Sequence, residues 1–441
     1  MDTVEIVSPA SSRAPRALTW IWAVVVLAIC HASAVATFQI LNVLVGPIKA
    51  ALALSDTQYS LTQGFAVAVF AAALGIPAAR VADRGHRRFI VLVGAVIWSV
   101  ATLACAFAHG FLELFAARMA VGLGEAFLYP AALSMIADVA PRERLSTAIG
   151  LFGCGGPIGT GIAMIGGGWL LQIPPGARGD ALWPVGESWR AGFVMCGSLS
   201  ALAVCLLLSV AEPERRAAAA RSAKNFRATV CYVSRHWQVF AGVSGAMLAL
   251  SYCVFAISSW SLTMLVRTQG LTYSEVAPIA GFAAVIGGVA GAAITGTVTD
   301  RLERKGYRDA SLRVAVVVAA LMIVLTMIPV LGVSSGWAVL SVAGAYCILG
   351  VPTVLGGTAL QQISPPVIRA QVMAVQVLLV NLLALSLGPL TVALLTEKVF
   401  RRPEAIGYAL VCSVCCGAVA AVVAVLACRH RFPASRVSPV V

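Results

Sequence analysis

Twelve long apolar runs, at roughly 18–45, 58–82, 89–108, 111–137, 144–170, 190–211, 238–266, 275–299, 312–331, 336–363, 369–396 and 405–427, dominate this chain. A helix of about 20 apolar residues matches the hydrocarbon thickness of a bilayer. In lipid only helices and closed barrels satisfy every backbone polar group, and runs this long are helical. Charged residues make up 11% of the 441, too few to cover a soluble protein of this size. The expected architecture is all-α and membrane-embedded, with twelve transmembrane helices.

The net charge of +13 is explained by where the positives sit. With the amino terminus on the cytoplasmic side, 23 of the 31 Lys and Arg fall on that side, seven fall outside and Arg118 lies in the membrane. The positive-inside bias therefore expects both termini in the cytoplasm. Basic charge used in this way sets topology and contacts anionic lipid, so the expected partners are the bilayer and a small-molecule substrate rather than nucleic acid. Eleven of the twelve Cys lie in or beside apolar segments, which argues against a disulfide framework. Cys412, Cys415 and Cys416 have ligand-like spacing but read better as small packing residues, and neither metal nor cofactor is expected.

The chain divides at a basic linker. The expected organisation is a tail at 1–17, a first six-helix bundle at 18–211, a linker at 212–237, a second six-helix bundle at 238–428 and a tail at 429–441. Repeated loops support a duplication. Ala79-Arg80-Val81-Ala82-Asp83-Arg84-Gly85-His86-Arg87-Arg88 follows the second segment, and Gly296-Thr297-Val298-Thr299-Asp300-Arg301 follows the eighth. Pro141 and Pro366 open a second repeated loop 225 residues apart, and Asp83 and Asp300 are 217 apart. Parallel six-helix repeats are a transporter architecture whose halves rock around a shared site.

Ionisable groups deep in a bilayer cost at least about 2.5–3.5 kcal/mol, so each needs a reason. Arg118 and Glu125 on the fourth segment are the outstanding pair: seven residues apart, on one face, about 10.5 Å along the axis. Gly122 and Tyr129 extend that face, and Pro130 bends the helix just beyond. The functional reading has Arg118 receive an anionic group bidentately while Glu125 takes and releases a proton; the plain alternative is a helix clamp with no part in turnover. His31 is either a proton site or a hydrogen-bonded packing residue. Gln39 and Asn42 are further substrate candidates, with Tyr252, Ser259, Tyr346 and Asn381 as other polar cavity residues. Gly155-x-x-x-Gly159 and Gly287-x-x-x-Gly291 expect close helix packing. No His-Glu-x-x-His or phosphate-loop motif occurs, so an enzyme is not expected.

The loop motifs resemble the major facilitator superfamily. Arg118, Gly122 and Gly124 are similar to its helix-4 pattern, and Gly156-Pro157-Ile158-Gly159-Thr160-Gly161 to the glycine–proline signature of antiporters. The best likeness is to the Spinster-like branch, through Pro47-Ile48-Lys49, Leu54-Ser55-Asp56-Thr57-Gln58, Trp98-Ser99, Gly122-Leu123-Gly124-Glu125-Ala126 and Trp189-Arg190-Ala191-Gly192-Phe193. The resemblance implies export or exchange of lipid-like amphiphiles or other organic anions; the protein is expected to be a proton-coupled secondary transporter, monomeric, in the plasma membrane, here a bacterial inner membrane. It also implies a cytoplasmic gate in which Asp83 latches the bundles with Arg84, Arg87, Arg88 and Asp138, repeated at Asp300 and Arg301. The chain departs from the branch in helix 1, where Thr37-Phe38 stands in place of Asp-Arg. An importer of hydrophilic acids or sugars is the alternative within transport, and a sensor on a transporter scaffold is the alternative outside it.

Overall fold

A computed structural model describes residues 17–70, 86–173, 188–213, 226–365 and 368–432. Among them eleven helices are long and apolar enough to cross a membrane. In chain order the elements are α1 (Ala17–Leu52), α2 (residues 56–70), α3 (Arg87–Cys105), α4 (Phe111–Val139), α5 (Leu145–Gln172) and α6 (Ser188–Leu207). A short α7 (Phe226–Arg235) follows, then α8 (Trp237–Gln269), α9 (Tyr273–Arg304), α10 (Ala310–Val330), α11 (Ser335–Ile363), α12 (Gln371–Phe400) and α13 (Pro403–Cys428). The far part of the second apolar segment lies outside the described residues.

In the first half α1 packs on α5 and α6, and α3 on α4 and α6; in the second, α8 and α10 pack on α13, and α9 on α11. The halves meet where α5 runs along α9 and α2 along α12. Lipid is as apolar as leucine, so such contacts depend on close backbone approach rather than on burial. The expected glycine pairs provide it. A Cβ at Gly155 or Gly159 would lie 2.6 or 2.2 Å from the carbonyls of Ala28 and Ala32 on α1. One at Gly287 would lie 2.2 Å from Cys347 Sγ.

Proline sets where the long helices break. Pro130 has no N–H for the carbonyl four residues back, at Ala126, and α4 is interrupted at Ala126–Phe127, one turn ahead of the proline. The bend therefore falls between Glu125 and Tyr129, not beyond Tyr129 as expected. Pro157 does the same to α5 at Cys154, and Pro352 to α11 at Leu349–Gly350. In α12 a π-turn at Val380–Ala384 precedes Pro389.

The face at which α1 begins and α13 ends is here the terminal face. Toward the opposite face one apolar core runs through both halves, from Ala36–Ile48 of α1 and Phe193 of α6 into Leu250, Ile257 and Val414. Toward the terminal face the first half has a core of its own, built on Trp20, Val24, Val91, Trp98, Met135 and Phe152. The linker helix α7 is tied to the second half, where Tyr232 Oη donates to Ile363 O at 3.4 Å and Thr229 contacts Gln371.

Candidate functional site

Arg118 is fully buried, with no exposed surface. Its Nη1 donates to Thr37 O of α1 at 3.2 Å and its Nε to Thr62 O of α2 at 3.4 Å, while Nη2 has no partner. One turn on, Gly122 sits against α2, where a Cβ would lie 2.3 Å from Val67 O. This end of the α4 face is thus packed on α1 and α2, and Arg118 clamps three helices with one NH2 group to spare. Two of its five N–H donors are committed, which leaves one on Nη1 and both on Nη2. Phe38, standing where the Spinster-like branch has a charged residue, places its ring 5.9 Å from the guanidinium carbon. Thr37 serves through its carbonyl, and its own hydroxyl is buried without a partner.

A clamp of this kind has a measurable signature. Arg118→Met should cost about 1.5–3 kcal/mol per lost charged hydrogen bond, seen as a lower melting temperature of the purified protein. Arg118→Lys should recover part of it. A methionine variant that melts normally yet cannot transport would make Arg118 a substrate contact and not a clamp.

Glu125 lies past the packed end of the face. It makes no ion pair with Arg118, and its Oε1 is buried without a donor. Beyond the break, Tyr129 is 46% exposed and its hydroxyl meets His31 Nε2 at 2.7 Å. His31 Nδ1 is 3.0 Å from Phe152 O, just ahead of the α5 break. A carbonyl can only accept, so Nδ1 carries the proton and Nε2 of the neutral ring accepts from Tyr129. His31 also stacks on Phe152 with centroids 4.9 Å apart. Glu125, Tyr129 and His31 thus form one corner of the first half.

Gln39 and Asn42 belong to a different group, nearer the opposite face. Asn42 Nδ2 donates to Gln39 Oε1 at 2.7 Å and to Ser258 Oγ of α8 at 3.2 Å. Ser258 donates to Gln39 Oε1 at 3.2 Å, Gln39 Nε2 to Thr160 Oγ1 at 3.3 Å, and Gln63 Nε2 to Asn42 Oδ1. This uncharged lattice joins the halves. Nothing in the sequence distinguishes Gln63 and Ser258 from other polar residues in apolar runs, and Thr160 figures there only within the glycine–proline signature.

The expected gate residues divide. Asp83 and Arg84 lie outside the described residues. Arg87 is buried and bonds within the first half, pairing with Asp138 and donating from Nε to Glu212 Oε1 at 3.2 Å. Arg88 donates from its backbone N to Glu212 Oε2 at 2.6 Å and from Nη2 to Leu208 O at 2.6 Å. These three therefore tie α3, α4 and the end of α6 together, where a latch between bundles was expected. Asp300 and Arg301 are exposed.

Eleven helices long enough to span a membrane among the described residues, duplicated loops and two halves meeting along paired helices define a polytopic membrane protein of a transporter type. The family model of the Major Facilitator Superfamily matches residues 27–389, and the chain belongs to that family. It is 28% identical over 267 residues to an MFS-type efflux pump of Mycolicibacterium smegmatis, covering 60% of this chain and 59% of the relative. It is 29% identical over 199 residues to protein spinster homolog 3 of Danio rerio, covering 43% of this chain and 37% of the relative. The chain thus matches less than two thirds of the length of these relatives. A crystal structure of a bacterial homolog of the human lysosomal transporter Spinster, inward-facing and unoccupied, superposes with a TM-score of 0.73 at 24% identity, covering 96% of this chain and 100% of that one.

Proposed function

We propose that this protein is a secondary transporter of the Spinster-like branch that moves a small organic or amphiphilic anion by alternating access, with proton coupling at Glu125. The observation that carries the reading is the asymmetry of the molecule. The halves share a core and a polar lattice toward one face, while Glu125 and the half-exposed Tyr129 lie on the other side of that lattice. On this reading the terminal face is cytoplasmic, in a bacterial inner membrane, and the site is entered from there. The spare NH2 of Arg118 supplies positive charge above the Glu125 corner, which favours an anionic head group. Similarity to an efflux pump and to Spinster homologues supports export or exchange.

Counterflow in proteoliposomes tests the proposal. Purified protein is first screened for thermal stabilisation by lysophospholipids, sphingoid bases and aromatic carboxylates, since a ligand raises the stability of the state it binds. A stabilising compound should then exchange across the liposome membrane. Stabilisation without any exchange would favour a sensor, and exchange confined to sugars would remove the amphiphile.

A further inference from the structure

The segment Lys49 to Gln58, which carries part of the Spinster resemblance, has no role in the site described so far. It closes the opposite face. Ser55 and Gln58 form a capping box, with Gln58 N donating to Ser55 Oγ at 3.1 Å and Ser55 N to Gln58 Oε1 at 3.0 Å, so the first turn of α2 is fixed. That turn presents Asp56, only 4% exposed, to two cations. Lys49 at the end of α1 reaches it from the same half. Arg267 at the end of α8 reaches it from the other half as a fork, with Nη1 and Nη2 at 2.8 and 2.7 Å from the two carboxylate oxygens. A second tether runs the other way: Glu397 of α12 accepts from Thr57 N at 3.2 Å and from the Thr57 hydroxyl.

From this geometry we infer that Asp56 is a hand-over latch: Arg267 holds the opposite face shut, and Lys49 keeps the carboxylate paired when Arg267 leaves. A buried ion pair that simply broke would leave an unpaired charge in a low-dielectric site, which is strongly unfavourable. A same-half cation already in contact removes most of that penalty and makes opening affordable. The inference rests on the alternating-access reading, but its readout does not require transport. Burial pushes the Asp56 carboxyl up, and Arg267 with Lys49 outweighs it, holding it below the usual carboxylate range. The charges facing the latch are Lys49 of α1, Arg267 of α8, Tyr273 of α9, Glu397 of α12 and Glu404, which acts on Arg267. With the latched value depressed, the contribution is complete above the free carboxylate range and fades as pH falls through the latched value.

The test is hydrogen–deuterium exchange of the full chain in nanodiscs, read at residues 46–65 and 256–269. Arg267→Met should speed exchange there about tenfold by removing the cross-half fork. Lys49→Met should slow it, because opening then strands Asp56. After correction for intrinsic rates, wild-type exchange should not change between about pH 6 and 8. If Arg267→Met loosens the whole chain, Arg267→Lys, which keeps the charge and loses the fork, should give a smaller rise confined to these segments. Unchanged exchange in the arginine variant that folds would overturn the latch. Faster exchange in Lys49→Met would overturn the hand-over, since a merely structural pair loosens whichever partner is lost.

Discussion

Glu125→Gln should abolish uptake driven by a pH gradient while leaving substrate exchange intact. Glutamine keeps the shape and one carbonyl acceptor but can neither gain nor lose a proton. Turnover with an empty site requires the Glu125 corner to change its exposure, and carrying an unpaired carboxylate through a low-dielectric passage is costly. Its Oε1 already has no donor. A proton removes that charge for the return step; in exchange, bound substrate accompanies both steps. Without a group at 125 that binds the proton, the pH gradient no longer biases either step, so the expected pH-driven signal is near background. The measurement is uptake into proteoliposomes with an imposed pH gradient, beside counterflow at equal pH. Full pH-driven uptake in the glutamine variant would move coupling elsewhere, to His31, the imidazole of the same corner.

Two glycines should respond in opposite ways to the same added methyl. A Cβ at Gly122 would meet the backbone of Val67 at 2.3 Å inside the first half, so Gly122→Ala should lower stability by about 1–3 kcal/mol, the usual cost of overpacking. A Cβ at Gly64 would lie 2.3 Å from Leu385 O, across the seam between α2 and α12. That carbonyl lies four residues before Pro389, which has no N–H to engage it, and α2 approaches it closely. If the halves part at this seam in the proposed alternating access, Gly64→Ala should relieve the clash by opening instead of unfolding. The same 1–3 kcal/mol then appears as an about 5- to 150-fold shift in population. Deuterium exchange at the opposite face should rise in Gly64→Ala with a nearly unchanged melting temperature, and the reverse is expected for Gly122→Ala. Equal losses of melting temperature would mean that the α2–α12 seam does not open.

The fold could be read from the chain because span length and loop charge are written in residue types. The site could be read only in part. Arg118 stood out as a charge in an apolar run, but its partners are the carbonyls of Thr37 and Thr62, and a backbone acceptor leaves no mark in sequence. The bend was placed beyond Tyr129 because proline was read at its own position, although its missing N–H acts four residues earlier. Arg87 and Asp138, expected in a latch with Asp83, pair with each other inside the first half: charge can be read from sequence, but which helices a pair joins depends on packing. In the sequence Asp56 figures only within the Spinster-like motif, and nothing marks Arg267 or Glu397 as its neighbours, since burial at a helix end has no compositional signature.

The amide and hydroxyl lattice of Gln39, Asn42, Gln63 and Ser258 has an electrical consequence. Moving one elementary charge through the membrane potential is worth about 2.3 kcal/mol per 100 mV. These four side chains carry none, so their rearrangement is silent to voltage. Any current that accompanies turnover then reports on the cargo and on the ionisable residues beneath, which makes electrical recording a direct count of what each cycle carries.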